Sequence, residues 1–140
     1  MSMNTNNHPR ILVVEDDDAI RLLTANALRK AGFNVLEACT ADEGAARISD
    51  ANLDAIVTDV EMPGAMDGYD LAWRAHAACP TTPLFVISSS VGSDRRELPP
   101  HGRFFEKPLD PGILVAELKG ALRLMKAKPA RAHRSLQDVA

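Results

Sequence analysis

The chain has 140 residues, 46% of them apolar and 25% charged, which is enough for one domain with one core and tight for two. Its formal net charge of -3, from 19 acidic and 16 basic residues, provides no general attraction to nucleic acid or to anionic membranes. The first residues lack the regions of a secretory signal, and no apolar run approaches the roughly 20 residues of a membrane-spanning helix. We therefore expect a soluble, cytoplasmic domain that binds neither DNA directly nor membranes.

A strand and a helix follow the polar start of the chain. Residues 1–9 have nothing to bury and are expected to be flexible. Residues 11–14 form a continuous, β-branched apolar run, which is typical of a parallel strand covered on both faces. The acidic run 15–18 ends this strand, and a helix is predicted from Asp18 to a stop at Gly32. The apolar residues expected on its inward face are Ile20, Leu23, Ala27 and Ala31.

The pattern of strand and helix then repeats. Residues 33–38 are predicted to form a second strand, and Thr40 with Glu43 has the spacing of a capping box that begins a helix. A third buried strand over residues 54–58 ends at a carboxylate, that of Asp59. Alternation of this kind predicts a parallel sheet with crossover helices.

The remaining elements are less regular. A Pro- and Gly-rich turn over residues 62–68 leads into a helix predicted to end near Ala78, and strands are predicted over residues 84–87 and 103–106. Residues 93–98 could form only a short helix, because Pro99 and Pro100 stop it. The last helix is predicted to begin at Asp110 or Pro111 and to dock on the sheet. The folded domain is predicted over residues 10–126, followed by a flexible basic tail over residues 127–140.

Unusual polar residues stand at the predicted carboxyl ends of the strands, where open parallel sheets bind ligands. They are Glu15 and Asp16 after strand one, Asp59 after strand three, Ser88 after strand four and Lys107 after strand five. A single carboxylate there could simply cap a helix, and Asp17 and Asp18 are interpreted in that way. Three converging carboxylates repel each other, however, and their oxygen ligands favour Mg²⁺ or Mn²⁺. One carboxylate could then attack phosphorus while Lys107 neutralises the oxygens of the transferred group.

With these motifs in order, the chain resembles the receiver domains of two-component response regulators. The matching pieces are Val13-Val14-Glu15-Asp16, Thr58-Asp59, Met62-Pro63, Met66-Asp67-Gly68 and Lys107-Pro108. The resemblance implies an α/β fold, in which helices cover both faces of a doubly wound, five-stranded parallel sheet of order 2-1-3-4-5, like that of CheY. It also implies that Asp59 is the phosphoacceptor and that Asp16, Asp59 and the backbone carbonyl of Glu61 bind Mg²⁺ or Mn²⁺, with Glu15 acting through metal-bound water.

The resemblance further assigns switch residues and a peptide geometry. Ser88 matches the hydroxyl residue that moves toward the phosphoryl group, and Phe104 matches the aromatic residue that turns inward. The Lys107–Pro108 bond is expected to be cis. The chain departs from the family pattern in a longer turn after Asp59, in Glu15 where Asp is commoner, and in a fourth helix that is short or disordered. Phosphorylation is expected to order residues 89–102.

The function expected from this resemblance is that of a single-domain response regulator in a phosphorelay. It would take its phosphoryl group from a histidine kinase or a histidine phosphotransfer protein, act on no substrate except itself, and be a monomer or weak dimer. Two alternatives stay open at this point. One is a pseudo-receiver that binds proteins without being phosphorylated. The other is a metal-dependent phosphatase with an aspartyl-phosphate intermediate, although such enzymes usually have Asp where Glu61 stands.

Overall fold

The computed structural model describes residues 8–50, 52–89 and 96–123, which contain five strands and four helices. The strands are β1 (Arg10–Val14), β2 (Asn34–Ala38), β3 (Ala55–Asp59), β4 (Leu84–Ser88) and β5 (Gly102–Glu106). The helices are α1 (Asp18–Lys30), α2 (Ala41–Asp50), α3 (Gly68–Ala78) and α4, which begins at residue 111 and is helical over residues 111–123.

All five strands are parallel, in the order β2-β1-β3-β4-β5, so the predicted fold class is confirmed. The order reverses between β1 and β3, where the chain first crosses from one side of the sheet to the other. In the register of these two strands Val14 lies beside Thr58. The residues that follow Val14 and the last residue of β3 therefore meet at one edge, which is where such sheets bind ligands.

The two faces of the sheet carry separate apolar layers, because successive side chains of a strand point to opposite faces. Leu12 and Val14 of β1 pack with α2 and α3 on one face. Ile11 and Val13 pack on the other face with α1 and with α4, whose buried Leu114 and Leu118 dock it on the sheet as predicted. Helices therefore cover both faces, and the sheet is held rigidly between them.

Capping residues and a glycine form the helix ends, and the sequence predicts part of this arrangement. Asp17 caps α1 by accepting a hydrogen bond from the backbone N–H of Ile20 at 2.9 Å. Gly32 takes a φ of +99° just beyond this helix, a conformation that favours glycine. At α2 only half of the predicted capping box forms. Thr40 accepts from the backbone N–H of Glu43, but the Glu43 carboxylate accepts from the backbone N–H of Cys39 instead.

The predicted inward face of α1 is wrong for Ile20 and Leu23, whereas Ala31 packs against the core as predicted. Ile20 is 43% exposed and Leu23 is 62% exposed, whereas Ala25 and Leu28 are fully buried against the sheet. Apolar residues occupy nearly all sides of this helix, so their spacing does not select one face. In the structure Leu28, and not Leu23, packs against β1.

Several predictions concern residues that lie outside the described part of the chain. These are residues 1–7, the first half of the short helix predicted over residues 93–98, and the tail after residue 123. Residues 96–99, which are described, are irregular rather than helical. Across the described ranges, no helix combines the length and the apolar character needed to cross a bilayer.

Candidate metal centre

Three carboxylates meet where β1 and β3 end. One oxygen from each of Glu15, Asp16 and Asp59 lies within 4.8 Å of the others. Glu15 and Asp59 are only 6% and 4% exposed, whereas Asp16 faces solvent. Oδ1 of Asp59 is buried and accepts no hydrogen bond of regular geometry from the described residues. Clustered carboxylate oxygens that are open to water on one side are the ligand set of a hard divalent cation, so these residues fit Mg²⁺ or Mn²⁺.

An ammonium group faces this cluster. Nζ of Lys107, in the residue directly after β5, lies 3.0 Å from Oδ1 of Asp59 and 3.6 Å from Oε1 of Glu15. The backbone N–H of Lys107 donates to the carbonyl of Ser88 at 2.9 Å, which anchors the chain as it leaves the sheet. The Lys107–Pro108 bond is cis, as expected. The sequence prediction that Lys107 comes close to the acidic residues agrees with this arrangement.

Burial and mutual repulsion change the protonation of these groups. Burial, together with the charge of Asp59, raises the pKa of Glu15 to about 7, although a hydrogen bond from the backbone of Asp17 opposes the shift. Burial also raises the pKa of Asp59, against the stabilising effect of Lys107. For Lys107, burial acts to lower the pKa, but the pairing with Asp59 outweighs it and the pKa is raised. The ammonium is therefore retained, and the cluster favours bound cations.

Backbone contacts hold the acidic loop after β1. The N–H of Glu15 donates to the carbonyl of Ala38 on β2 at 3.0 Å. Oε2 of Glu15 accepts from the N–H of Asp17 at 3.0 Å, and Asp17 in turn caps α1. The two clustered carboxylates of this loop thus belong to a short segment tied to β2 on one side and to α1 on the other.

The first residue of α3 lies against the backbone of Asp59. A Cβ atom at Gly68 would lie 2.1 Å from the carbonyl oxygen of Asp59, and the N–H of Gly68 donates to the carbonyl of Val60 at 3.1 Å. Only glycine permits such an approach. The longer turn after Asp59 therefore returns to the end of β3, and Gly64 takes a φ of +108° within it.

Ser88 and Glu61 are neighbours on the side of β4. The Ser88 hydroxyl, buried at the end of the strand, donates to Oε2 of Glu61, and the N–H of Ser89 donates to Oε1 at 3.3 Å. The Glu61 side chain is therefore turned toward β4 and is not part of the carboxylate cluster. Its predicted role uses the backbone carbonyl instead and stays a prediction. Sequence reasoning missed the Glu61–Ser88 contact because no periodic pattern reports how a loop side chain is rotated.

The segment before β5 is attached to α3. Arg96 pairs with Asp67, the residue that caps α3, and its guanidinium lies 4.4 Å from the ring centroid of Tyr69. The indole N–H of Trp73 donates to the carbonyl of Glu97 at 3.1 Å. Phe104, the predicted aromatic switch, is half-buried against the apolar layer under α3. Sequence reasoning did not single out Arg96, because an arginine in an irregular segment carries no pattern of its own.

An apolar cavity of about 450 Å³ opens beside the carboxylates. Glu15, Asp59 and Lys107 line one end of it. The rest is mostly apolar and includes Ile20, Leu23, Ile87, Pro108 and Leu114. Ile20 and Leu23, which are exposed on α1, thus border the site.

Comparisons with known proteins point to one family. The sequence profile of the response regulator receiver domain matches residues 11–119. The chain is 36% identical over 94 residues to the autoinducer 1 sensor kinase/phosphatase LuxN of Vibrio campbellii, covering 66% of this chain and 11% of LuxN. It is 29% identical over 116 residues to the response regulator receiver protein CpdR of Brucella abortus, covering 81% of this chain and 96% of CpdR.

A solved structure gives the same result. The fold matches that of a CheY-like response regulator receiver domain protein from Methanospirillum hungatei with a TM-score of 0.79, at 26% identity, over 86% of this chain and 98% of that one. Matched sequence, shared strand order and an acidic cluster at the expected strand ends agree. The chain belongs to the response regulator receiver domain family of two-component systems.

Proposed function

We propose that this chain accepts a phosphoryl group on Asp59 from a phosphohistidine of a partner protein and changes its own contacts as a result. One observation carries the proposal. Asp59 is a buried carboxylate at a strand end, with a lysine ammonium 3.0 Å away and two further carboxylates within 4.8 Å. The Asp59 carboxylate is a buried nucleophile that lies between the Lys107 ammonium and carboxylates able to hold a second cation. Positive charge on both sides suits it to attack a phosphoryl group.

In the proposed step, a carboxylate oxygen of Asp59 forms a bond to phosphorus while the bond between phosphorus and the partner's imidazole nitrogen breaks. The electron pair of the broken bond stays on that nitrogen, which takes up a proton. Lys107 neutralises charge on the phosphoryl oxygens. A Mg²⁺ ion held by Glu15, Asp16 and Asp59 would supply further charge neutralisation. Later hydrolysis would return Asp59 to its carboxylate, so the chain would act on itself alone.

The new group would change the contacts of Ser88. In the present structure the Ser88 hydroxyl donates to the Glu61 carboxylate. A phosphoryl group on Asp59 carries more negative charge and offers three acceptor oxygens, so it competes for the same hydrogen bond. The shift of Ser88 would release Glu61 and move the end of β4, and Phe104 on β5 would follow inward. Residues 89–102 are then the segment expected to change order.

The surface around the site supports a protein as phosphodonor. Exposed Ile20 and Leu23 border the cavity that opens onto Asp59. Exposed apolar residues grouped beside a reactive centre are typical of a protein contact. A histidine kinase or a histidine phosphotransfer protein is the partner class that would present a phosphohistidine to this surface.

The decisive test is phosphorylation by a small donor. The full chain is incubated with acetyl phosphate and Mg²⁺, and its intact mass is compared with that of Asp59→Asn. We expect a gain of one phosphoryl group in the parent, none in Asp59→Asn, and none in the parent when EDTA replaces Mg²⁺. Lys107→Ala serves as a second variant and should be phosphorylated much more slowly.

Each alternative function gives a different result. An unmodified parent under these conditions would contradict the proposal and favour a binding module that works without phosphorylation. Modification that persists in Asp59→Asn would place the acceptor elsewhere. Turnover of many unrelated phosphate esters would indicate a phosphatase, for which the position of the Glu61 carboxylate against Ser88 gives no support.

A further inference from the structure

A half-buried arginine connects the acidic loop to the rest of the fold. Arg21 lies in the first turns of α1, and its side chain is only 17% exposed. Its guanidinium makes three polar contacts in three directions. Nη1 donates to the backbone carbonyl of Glu15 at 2.9 Å, Nη2 to Oδ1 of Asp18 at 2.7 Å, and Nε to Oε1 of Glu37 at 3.2 Å. The planar guanidinium is thereby fixed between α1, β2 and the loop.

The contact with Glu15 has a specific geometric meaning. The carbonyl of Glu15 belongs to the peptide unit that joins Glu15 to Asp16, so holding it sets the plane from which both side chains leave the backbone. The N–H of Glu15 is held separately, by the carbonyl of Ala38. Arg21 thus supplies the second anchor of the dipeptide that carries two of the three clustered carboxylates.

The partner of Arg21 on β2 is itself fixed. The other oxygen of Glu37 accepts from Nη2 of Arg29 at 2.9 Å, and the same nitrogen lies 3.2 Å from the carbonyl of Val35. Glu37 therefore has little freedom to follow Arg21 if the loop moves. The chain of contacts from Arg29 through Glu37 to Arg21 ends at the Glu15 carbonyl and makes a rigid support behind the site.

We propose that Arg21 is a positioning residue, which holds the Glu15–Asp16 peptide so that their carboxylates converge with that of Asp59 on one divalent cation. This inference rests on the proposed function, because it assumes that the cluster binds the cation. Arg21 would touch neither the cation nor the phosphoryl group. Partners that orient metal ligands from behind typically change metal affinity by about 10- to 100-fold when they are removed.

Arg29 provides a matched control. It stands on the same helix and pairs with the same Glu37, but its hydrogen bonds in the described part of the chain go to Asn26, Val35 and Glu37, and none goes to the acidic loop. Arg29→Ala removes one positive charge near the site, as Arg21→Ala does, without removing the anchor. Arg21→Lys keeps the charge but cannot reproduce three contacts in fixed directions.

Two measurements on the full chain test the proposal. The first follows the amide of Asp17 by NMR without metal, because this amide donates to the Glu15 side chain and reports the shape of the loop. The second measures the dissociation constant for Mn²⁺ from the electron paramagnetic resonance signal of the free ion. We expect Arg21→Ala and Arg21→Lys to shift the Asp17 resonance and to weaken Mn²⁺ binding about tenfold or more. Arg29→Ala, which leaves the contact between Arg21 and the Glu15 carbonyl in place, should change both quantities far less than Arg21→Ala does.

The outcomes separate the two proposals. Parent-like Mn²⁺ affinity in Arg21→Ala, or equal weakening in Arg29→Ala, would overturn the role of Arg21 and leave the metal site intact. Full recovery in Arg21→Lys would also overturn it, since charge alone would then explain the effect. The proposed metal site itself would be contradicted if the parent chain bound no Mn²⁺. It would also be contradicted if Asp59→Ala bound Mn²⁺ as tightly as the parent does. Should Arg21→Ala not fold, Arg21→Lys and Glu37→Gln carry the same comparison.

Discussion

Glu15 sits in a position that is unfavourable for its charge. It is buried beside Asp59, and its carboxyl group has a pKa of about 7 instead of 4.5. Burial also raises the pKa of the neighbouring Asp59. The fold therefore contains two carboxyl groups whose ionisation is disfavoured, and this is expected of a site that a cation completes.

This shift makes a prediction about stability and pH. Because the folded-state pKa of Glu15 is raised, its contribution to stability is full below about pH 4.5 and is lost as the pH rises through about 7. Glu15→Gln has no group that ionises at this position, so the variant does not lose stability in this way as the pH rises. In EDTA at pH 8 the variant should be more stable than the parent by about 1–3 kcal/mol, and at pH 4.5 the difference should be small.

Urea unfolding at the two pH values measures this difference. Glu106→Gln removes an exposed carboxylate from β5 and is the control for the loss of one negative charge. If the free energies of unfolding of the parent and of Glu15→Gln differed by the same amount at both pH values, the raised pKa of Glu15 would be contradicted.

At the residue level, the sequence predicts which side chains meet but not how each is held. Glu15, Asp16, Asp59 and Lys107 follow strands, and the ends of parallel strands share an edge, so their proximity follows from topology alone. The support of the Glu15 carbonyl by Arg21 does not follow, because it depends on the rotation of one helix and one side chain. Roles within the cluster remain predictions until phosphorylation is measured.

At the level of elements, the junction of β3 and α3 sets the position of the phosphoacceptor. Gly68 begins α3 in direct contact with the carbonyl of Asp59, so any side chain there must displace one of the two elements. Gly68→Ala should lower the free energy of unfolding by about 1–3 kcal/mol and slow phosphorylation of Asp59 by acetyl phosphate.

Gly120→Ala is the matched control for this substitution. Gly120 lies in α4 with nothing within 4 Å of an added Cβ, so alanine there should be neutral or stabilise the helix by up to about 1 kcal/mol. Equal effects of the two substitutions in chemical denaturation would show that the contact with Asp59 does not matter.

Helix α1 shows why elements are easier to predict than their orientations. Its start at Asp18 and its end before Gly32 follow from capping residues, and both are confirmed. Two residues of its predicted inward face, Ile20 and Leu23, are exposed, because apolar residues stand on several sides of the helix and their spacing does not single out Leu28. Both residues border the candidate site. An apolar residue in a contact surface cannot be told from an apolar core residue by the sequence pattern alone.

At the scale of the whole molecule, that exposed face should separate protein donors from small donors. Leu23 is 62% exposed and lines the cavity beside Asp59. Leu23→Asp should slow phosphotransfer from a histidine phosphotransfer protein about tenfold or more, because a charge in an apolar contact is unfavourable. Phosphorylation by acetyl phosphate should stay within about twofold, since Leu23 belongs to neither the carboxylate cluster nor its supports.

Leu22→Asp is the comparison for this experiment. Leu22 is similarly exposed, at 51%, but does not line the cavity, and its substitution should affect transfer from the protein donor much less. Time courses with radiolabelled donor protein give both rates. A Leu23→Asp variant that is equally slow with acetyl phosphate would mean that the substitution acts on the fold or the site.

The contact between α3 and the segment before β5 has a practical consequence. The chain has a single tryptophan, Trp73, and its indole N–H donates to the carbonyl of Glu97. Indole emission responds to the loss of such a bond and to added water around the ring. The molecule therefore contains its own optical probe of this segment, and a fluorimeter can follow displacement of the segment in real time without a dye on either cysteine.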